Sequence, residues 1–361
     1  MKPRLYNLSM AITAVLQNAT DISYKHVFND LYTAQFSLPY NDPKNALCET
    51  HHIVDIFDGD ESRGKYRIVD EPETDIAMIG AFQSYTCEHV IAFLLDDVID
   101  GQVTVGGTGV STQSVIQNIL ARQTVERWVL GTCDFNYEYS YTWQDTNLLD
   151  ALFSIPKVFP VGYHWTYDTS TYPWTLNLVA QDANRSCEIR RRKNMIGIKR
   201  SKTGSGLCNR LYCKGSDNNG SQVTIASVNG GLTYIEDATS IANHGLCAGF
   251  YTDKSETSPS ILLAKGQRAL LQSKEPQYSY TAKAADIYKA NVQPWYKLEE
   301  GKCVHIIDDE KGVDVDAMII SVEKPDVDGD PLDMDVVIST SDADMSTAIE
   351  TLTYKVTHNM V

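Results

Sequence analysis

The stretch that decides the fold lies near the start of the chain, where residues 34–70 read AQFSLPYNDPKNALCETHHIVDIFDGDESRGKYRIVD. Short apolar runs alternate in it with turn formers, of which Asn41-Asp42-Pro43 and Asp58-Gly59 are the clearest. After the second turn, apolar and charged residues alternate over 65–69, as they do in a half-buried strand. The pattern predicts antiparallel hairpins in a sheet or an open barrel.

The composition excludes several classes of protein. With 361 residues, 43% of them hydrophobic and 22% charged, the chain predicts two or three folded domains. Its net charge of −16 disfavours a surface built to hold nucleic acid, since phosphate binding needs clustered Lys and Arg. We find no apolar run of membrane-spanning length and no convincing signal peptide, and we interpret the eight cysteines as mostly reduced.

The hydrophobic period changes to three or four residues after residue 79. It predicts helices over 90–99 and 115–120, joined by a Gly-rich linker at 106–109, and a third helix over 146–155 that Asp145 caps. The aromatic and Thr-rich segment 163–179 favours strands. We therefore expect a mixed α/β module between regions of β structure.

The second half of the chain returns to β structure. Strands are predicted between 194 and 229, a helical region over 234–274, and a hairpin over 303–323 followed by a strand at 334–341. Within the helical region, Ser258-Pro259 has the pattern of a helix start, and Gly266 weakens the helix that follows. A sheet interrupted by an inserted module would explain this order.

Several short segments, in order along residues 4–340, carry a resemblance to a known family. They are YTAQFSLP (32–39), NDPKN (41–45), CEHV (87–90), LLD (94–96), LLDAL (148–152), RKNMIGIKR (192–200), NRLY (209–212), YIED (234–237) and SIANHG (240–245). In these segments the chain resembles the tail hub proteins of long-tailed bacteriophages, the amino-terminal hub of tail-associated lysins, which are related in fold to the baseplate hub of contractile tails.

The resemblance implies a β-rich α+β fold with two β-barrel-like hub domains and inserted modules. On this basis we expect the first barrel-like domain at 1–78 plus 191–229, the inserted α/β domain at 79–190, the helical insertion at 230–274 and the second barrel-like domain at 275–361. The family pattern implies a homotrimer that forms a ring of six such domains around a channel. A closed ring also covers exposed sheet edges.

The implied function is structural. The resemblance implies a ring that joins the distal tail protein ring to a tail tip or fibre protein. The tape-measure protein, and then DNA without specific binding, would pass through its channel. The expected location is the virion tail, after assembly in the host cytoplasm. Many members continue into a lytic or receptor-binding region, and because this chain stops at Val361 we expect those extensions to be missing.

A basic run is the candidate interface of the sequence. Arg190, Arg191, Arg192 and Lys193, with further cations at 199–202, could pair with an acidic patch on a neighbouring subunit or on the partner ring. The alternative is a solvated strand end. Reversal of the Arg charges distinguishes the two, because only the first makes trimer formation depend on them.

Three other clusters could hold a metal or a disulfide. Cys48, His51 and His52 lie at ligand spacing without a matching second pair, and we favour an incidental cysteine in a loop. Cys208 and Cys213, five apart in a strand, would point to opposite faces. The acidic segment 326–335 could hold Ca²⁺ but lacks the pattern of an EF-hand, so we favour a plain acidic turn.

No catalytic, cofactor-binding or metal-binding residue is predicted. Cys87 and His89 lie two apart on a predicted helix and so would face different ways, and the nucleophile-elbow and zinc-helix motifs are absent from the sequence. Two rival functions stay open. One is a tail-bound peptidoglycan hydrolase, and the other is a receptor-binding or carbohydrate-binding module, suggested by 20 tyrosines and 5 tryptophans, especially over 163–174.

Overall fold

The computed structural model describes most of residues 1–339. The residues that it does not describe are 71–80, 160, 183, 205, 219–220, 254–255, 289–292, 294–295, 311 and 340–361. Contacts divide the described chain into a large unit, Met1–Ile198 with Thr281–Ile338, and a small unit that is described over Lys199–Tyr280. Among the described residues, no helix combines the length and apolar character that crossing a membrane requires.

The described strands are numbered in chain order. They are β1 Arg4–Tyr6, β2 Ile12–Val15, β3 Thr20–Val27, β4 Thr33–Pro39, β5 Ile53–Asp58, β6 Glu61–Asp70, β7 Phe82–His89, β8 Val98–Gly106, β9 Trp128–Cys133, β10 Ser140–Asn147, β11 Tyr163–Asp168, β12 Trp174–Ala180, β13 Arg185–Arg190, β14 Met195–Thr203, β15 Arg210–Asn218, β16 Ser221–Thr224, β17 Tyr234–Glu236, β18 Ala248–Thr252, β19 Gln277–Ala285, β20 Cys303–Asp308, β21 Val313–Lys324 and β22 Asp333–Ser339.

The described helices are fewer and shorter. The α-helices are α1 Thr112–Leu120, α2 Leu148–Ser154, α3 Ala238–His244 and α4 Pro259–Ser273, and the 3₁₀ helices are Pro43–Leu47, Val90–Leu95, Ile155–Val158 and Ala226–Val228. The prediction of a β-rich α+β protein is therefore confirmed.

The principal sheet follows an open path. Its strands lie in the order β2-β1-β5-β6-β7-β4-β3-β21-β22-β19-β14, and β20 pairs with both β21 and β13. The hairpin of β5 and β6 is the one predicted from residues 52–69, and Gly59 at its turn has a φ of +66°. None of the sheets formed by the described residues closes, so the predicted barrels are not found there.

This sheet brings together strands that are far apart in the sequence, because β21 pairs with β3. The hairpin of β20 and β21 was predicted, and β22 matches the predicted last strand up to Ser339. One apolar core under the sheet contains Phe36, Tyr66 and Tyr85 together with Val327 from the far end of the chain. The division into four sequence domains stays a prediction.

The prediction of a helix over 90–99 was wrong. This segment begins as the 3₁₀ helix Val90–Leu95, which follows β7 directly, and it ends in β8. All five residues of Val90–Leu94 are buried, so this short 3₁₀ helix is apolar on every side. Its apolar residues therefore do not mark the single buried face of a longer α-helix, as the sequence pattern had suggested. The Gly-rich segment 106–109 consequently joins a strand to α1 and not two helices.

The other two helices of this region were predicted correctly. The buried side of α1 contains Val115, Ile116 and Ile119, and α2 buries Leu148 and Leu152. The cap of α2 is Asn147, whose side chain accepts a hydrogen bond from the backbone of Asp150, and not Asp145 as predicted. These helices pack with the sheets β8–β10 and β9–β12–β11 around a second apolar core.

The small unit is built on β15, which pairs with β16, β17 and β18. Its segment 234–274 was predicted to be helical, but it also contains β17 and β18. Helix α4 begins at Pro259 as predicted and packs on β15, where Leu262 and Cys213 are buried together. Gly266 is required at this contact, because a Cβ there would lie 2.4 Å from the Cys213 Sγ.

Candidate assembly interface

The basic run lies where β13 ends and a turn leads to β14. Arg190 is the last residue of β13, opposite Ile307 of β20, and Arg192 has a φ of +65° in the turn. Asn194 holds the turn, because its side chain accepts a hydrogen bond from the Arg190 N–H at 2.8 Å and donates one to the Glu188 carbonyl at 2.8 Å. The backbone of the four cationic residues is therefore held in place between the end of β13 and the start of β14.

Carboxylates of the same chain pair with much of this charge. Arg191 lies 3.3 Å from Asp308 and 2.6 Å from Glu310, and Arg192 lies 2.9 Å from Glu310. Lys193 lies 3.4 Å from Glu188. The hydrogen bond from Lys193 to Tyr296 raises the pKa of this ammonium. The Arg192 side chain is nevertheless 83% exposed, so it can still reach a neighbour.

Reversing the charge of Arg192 separates an assembly role from a local one. Because the side chain is exposed, we expect Arg192→Glu to change stability by less than about 1 kcal/mol. If the chain assembles as the trimer expected from its sequence and a neighbour's carboxylates pair with this side chain, the dissociation constant measured by sedimentation should rise about tenfold. Arg122→Glu, at an exposed position beyond α1, is the control. An unchanged trimer in Arg192→Glu would support the solvated strand end.

The acidic segment 326–335 forms a turn that leads into β22, and three of its carboxylates are already engaged. The Asp326 carboxylate accepts hydrogen bonds from the N–H groups of Asp328 and Gly329, at 3.0 and 2.8 Å. Asp328 pairs with Lys2 at 2.6 Å, and Asp333 pairs with Lys283 at 2.7 Å. In the part of the chain that the structure describes, no three ligating side chains come together as a metal site requires.

Calcium is therefore expected to leave the thermal stability unchanged. A bound cation would stabilise the folded state by mass action, and millimolar Ca²⁺ at about 100 times its dissociation constant would add about 2.7 kcal/mol. We expect the melting temperature in millimolar Ca²⁺ to equal that in millimolar Mg²⁺ within about 1 °C. A calcium-specific rise that Asp326→Asn abolishes would contradict this and establish a site.

The other sequence candidates do not come together as sites. His52 contacts the Leu47 carbonyl at 2.8 Å through Nδ1, while the ring of His51 lies edge-on to Phe93. Cys208 precedes β15 and contacts the carbonyl of Arg210, whereas Cys213 lies under α4. All eight cysteines are free thiols in the structure.

Cys87 and His89 lie on β7, not on a helix, so a separation of two places them on the same buried face. Burial raises the pKa of the Cys87 thiol well above its usual value and lowers the pKa of His89 to about 3. A protonated thiol and a neutral imidazole suit a packed core and not an activated nucleophile.

The aromatic segment 163–174 is mostly core. Trp165 and Trp174 are fully buried, and Trp174 packs on Phe93 and Trp128. Their ring faces are therefore not open to a sugar, which removes the main reason for the carbohydrate-binding alternative at this segment. Tyr172 is the exposed member.

Two groups of buried charges escaped the sequence analysis. Lys324, fully buried on β21, lies 2.5 Å from Asp286 and 3.2 Å from the equally buried Asp58. Tyr24 donates a hydrogen bond to Asp58 at 3.2 Å. Because Asp58 ends β5 and Asp286 follows β19, this ionic centre ties distant parts of the large unit together.

The second group surrounds Glu300. Tyr32 donates a hydrogen bond to Glu300 at 2.6 Å, and His26 lies 3.6 Å from it while stacking on the Tyr32 ring. Burial alone would raise the pKa of Glu300, but the charge of His26 and the hydrogen bonds from His26 and Tyr32 outweigh burial and lower the pKa to about 2. This buried cluster lies at one end of β3.

The open edge of the principal sheet is a candidate surface for assembly. β2 pairs on one side with β1, and no other described strand pairs with it. Ile12 and Val15 on this strand are 57% and 37% exposed. Lys44 donates a hydrogen bond to the Val15 carbonyl at 2.7 Å, which protects only one end of the edge.

Comparisons with known proteins identify the fold. Residues 183–347 match the family model described as prophage endopeptidase tail. The prophage tail protein gp18 of Listeria monocytogenes has a TM-score of 0.60 at 14% identity, with 99% of this chain and 100% of that one covered. The 43 kDa tail protein of prophage MuSo2 from Shewanella oneidensis has a TM-score of 0.65 at 14% identity, with 94% and 98% covered.

The similarity extends to secretion systems. The E. coli c3393 protein, described as a component of the type VI secretion system that is structurally similar to the T4 tail proteins gp27 and gp5, has a TM-score of 0.52 at 8% identity, with 94% of this chain and 77% of that one covered. No curated protein sequence matches the chain. The resemblance to phage tail proteins inferred from the sequence is thus confirmed by a shared fold.

Proposed function

We propose, on the premise that this chain has the fold of prophage tail proteins, that it is a structural subunit of a phage tail. The observation that carries the proposal is the fold shared over 94–99% of the chain with tail proteins of two prophages. Its place would be the virion tail, after assembly in the host cytoplasm. The role is that of a hub, a trimeric ring that joins the distal tail protein ring to a tip or fibre protein and lets the tape-measure protein and DNA pass.

Physical arguments support assembly through the sheet. An unprotected edge strand with exposed apolar residues tends to pair with another chain, and a closed ring satisfies such an edge without an open-ended fibre. β2 has these properties at Ile12 and Val15. The net charge of −16 is consistent with a channel that does not retain DNA.

Variants of the β2 edge test this proposal. We expect the double variant Ile12→Asp, Val15→Asp to be monomeric in light scattering, because two buried carboxylates in an interface cost several kcal/mol. Val98→Asp, which changes an apolar side chain that is 67% exposed on β8, is expected to remain trimeric. A trimer that survives the double variant would exclude the β2 edge from the interface.

A hydrolase is the second candidate, because the matching family model is described as an endopeptidase tail. Within the matched residues, two histidines have carboxylate partners: His244 lies 2.9 Å from Glu275, and His305 lies 2.7 Å from Asp316. The other ring nitrogen of His305 lies 3.3 Å from Asp314, so both of its nitrogens face carboxylates and neither is left for a hydroxyl or thiol nucleophile. Zymography on peptidoglycan tests this candidate, and clearing by the purified chain would favour it.

A further inference from the structure

The outer face of the small unit carries a row of aromatic side chains. Tyr212 on β15 lies directly opposite Tyr234 on β17 and directly opposite Phe250 on β18. The ring centroids are 5.3 Å apart in the first pair and 5.7 Å apart in the second. Phe250 is 69% exposed, so its ring is largely outside the contacts of the fold.

The opposite face of the same sheet forms the core of the small unit. Leu211 and Cys213 alternate with Tyr212 and are buried, with Cys213 packed against α4. Alternation therefore places Tyr212 and Phe250 on the face away from α4. Phe250 is the exposed member of this row, with Tyr212 and Tyr234 half-buried beside it, and an exposed aromatic side chain on such a face is typical of a contact surface.

The edge beside Phe250 is open. β18 is parallel to β15, and no other strand among the described residues pairs with it. The Asp253 N–H donates to the Lys214 carbonyl, and the Cys247 carbonyl accepts from the Arg210 N–H. Because residues of a parallel strand alternate between its two neighbours, the N–H and C=O groups of 248, 250 and 252 point outward.

Lys214 supplies a cation at this edge, whereas the carboxylate of Asp253, directly after β18, pairs with Lys265. The Lys214 ammonium lies 4.6 Å from the centroid of the Phe250 ring, so this side chain leans across β18 toward the open side. Arg210 by contrast pairs with Glu236 at 2.5 Å. Within the described part of the chain, no carboxylate forms an ion pair with Lys214.

We propose that the edge of β18 binds an extended segment of a different protein, which adds a strand beside β18 and places a carboxylate near Lys214. The outward N–H and C=O groups supply the backbone hydrogen bonds, Phe250 and Tyr212 supply the apolar contact, and Lys214 selects an acidic segment. A second copy of this chain is disfavoured, because a two-fold pairing of β18 with itself would bring two Lys214 side chains together. This site goes beyond the hub function and does not depend on it.

A labelled peptide tests the site in the full-length chain. The probe is a nine-residue peptide of alternating threonine and valine with two central glutamates, and its binding is followed by fluorescence anisotropy. We expect Thr252→Pro to weaken binding about tenfold or more, since it removes an outward N–H while sparing the ladder to β15. We expect Lys214→Glu to weaken it similarly and to favour the same peptide with lysines in place of glutamates.

The control is Leu271→Asp, which changes an exposed side chain on α4 and is expected to bind the peptide like the wild type. Equal binding by the wild type and Thr252→Pro, or no binding by the wild type, would overturn the proposal. Self-association that Phe250→Asp abolishes would assign the edge to a second copy and also overturn it. The hub function would be contradicted by a different result, a wild-type chain that is monomeric in solution, so the two proposals can fail independently.

Discussion

Replacing Lys324 by methionine is expected to lower the free energy of unfolding by about 3–5 kcal/mol, because it leaves the buried carboxylates of Asp58 and Asp286 without their shared cation. Methionine has a similar length, so the loss reports charge more than volume. Urea unfolding followed by tryptophan fluorescence measures it, since Trp128, Trp143, Trp165 and Trp174 all lie in the large unit.

A surface ion pair provides the matched control. Lys25 pairs with Glu323 at 2.9 Å, with both side chains more than a third exposed, and Lys25→Met is expected to cost less than about 1 kcal/mol. Adding Asp286→Asn to Lys324→Met removes one of the stranded charges and should recover part of the loss. If Lys324→Met and Lys25→Met lowered the free energy of unfolding by the same small amount, the buried contacts of Lys324 with Asp58 and Asp286 would not be formed in solution.

Glu300→Gln is expected to destabilise the large unit by about 3 kcal/mol at pH 7. The pKa of Glu300 is about 2 in the folded chain against 4.5 for an ordinary glutamate, and such a lowered pKa stabilises the fold whenever the unfolded carboxyl is ionised. The contribution is thus present above pH 4.5 and is lost as the pH falls toward 2. The stability difference between wild type and variant should shrink over this range.

The control is Glu323→Gln, at an exposed carboxylate, for which we expect a cost below about 1 kcal/mol. The lowered pKa of His89 acts in the same direction in both proteins, because its contribution is present above pH 6.5 and disappears toward pH 3. Burial, its largest cause, is the same in wild type and Glu300→Gln, whereas the smaller effect of the Glu300 charge, which raises the pKa of His89, is missing in the variant. A wild-type advantage over Glu300→Gln that is constant from pH 7 to pH 3 would contradict the assignment.

The sequence was sufficient to predict turns and helices that are determined by a few neighbouring residues. The turn at Asp58-Gly59 and the period of α1 were sufficient, because turn chemistry and a helical apolar face are encoded within a few residues. The segment Val90–Leu94 misled the same reasoning, since its burial on every side comes from the surrounding sheets and not from its own period.

Long-range partners explain why the rest could not be predicted. In the sequence Lys324 lies close to Glu323 and Asp326 and resembles a surface residue. The pairing of β21 with β3 places it opposite Tyr24, which contacts Asp58, and the strand order β21-β22-β19 brings Asp286 from the other side. Barrel closure is not confirmed among the described residues for a related reason, because alternation identifies strands but does not determine whether the last strand pairs with the first. The basic run was interpreted as a candidate interface or a solvated strand end, and its acidic partners in the chain, Asp308 and Glu310, were not foreseen.

The mass of the purified wild-type chain, measured by multi-angle light scattering, tests the central claim most directly. The hub function predicts a stable species of three times the 40.3 kDa subunit mass that persists on dilution to nanomolar concentration. A single species of 40.3 kDa at every concentration would contradict a ring built from this chain alone.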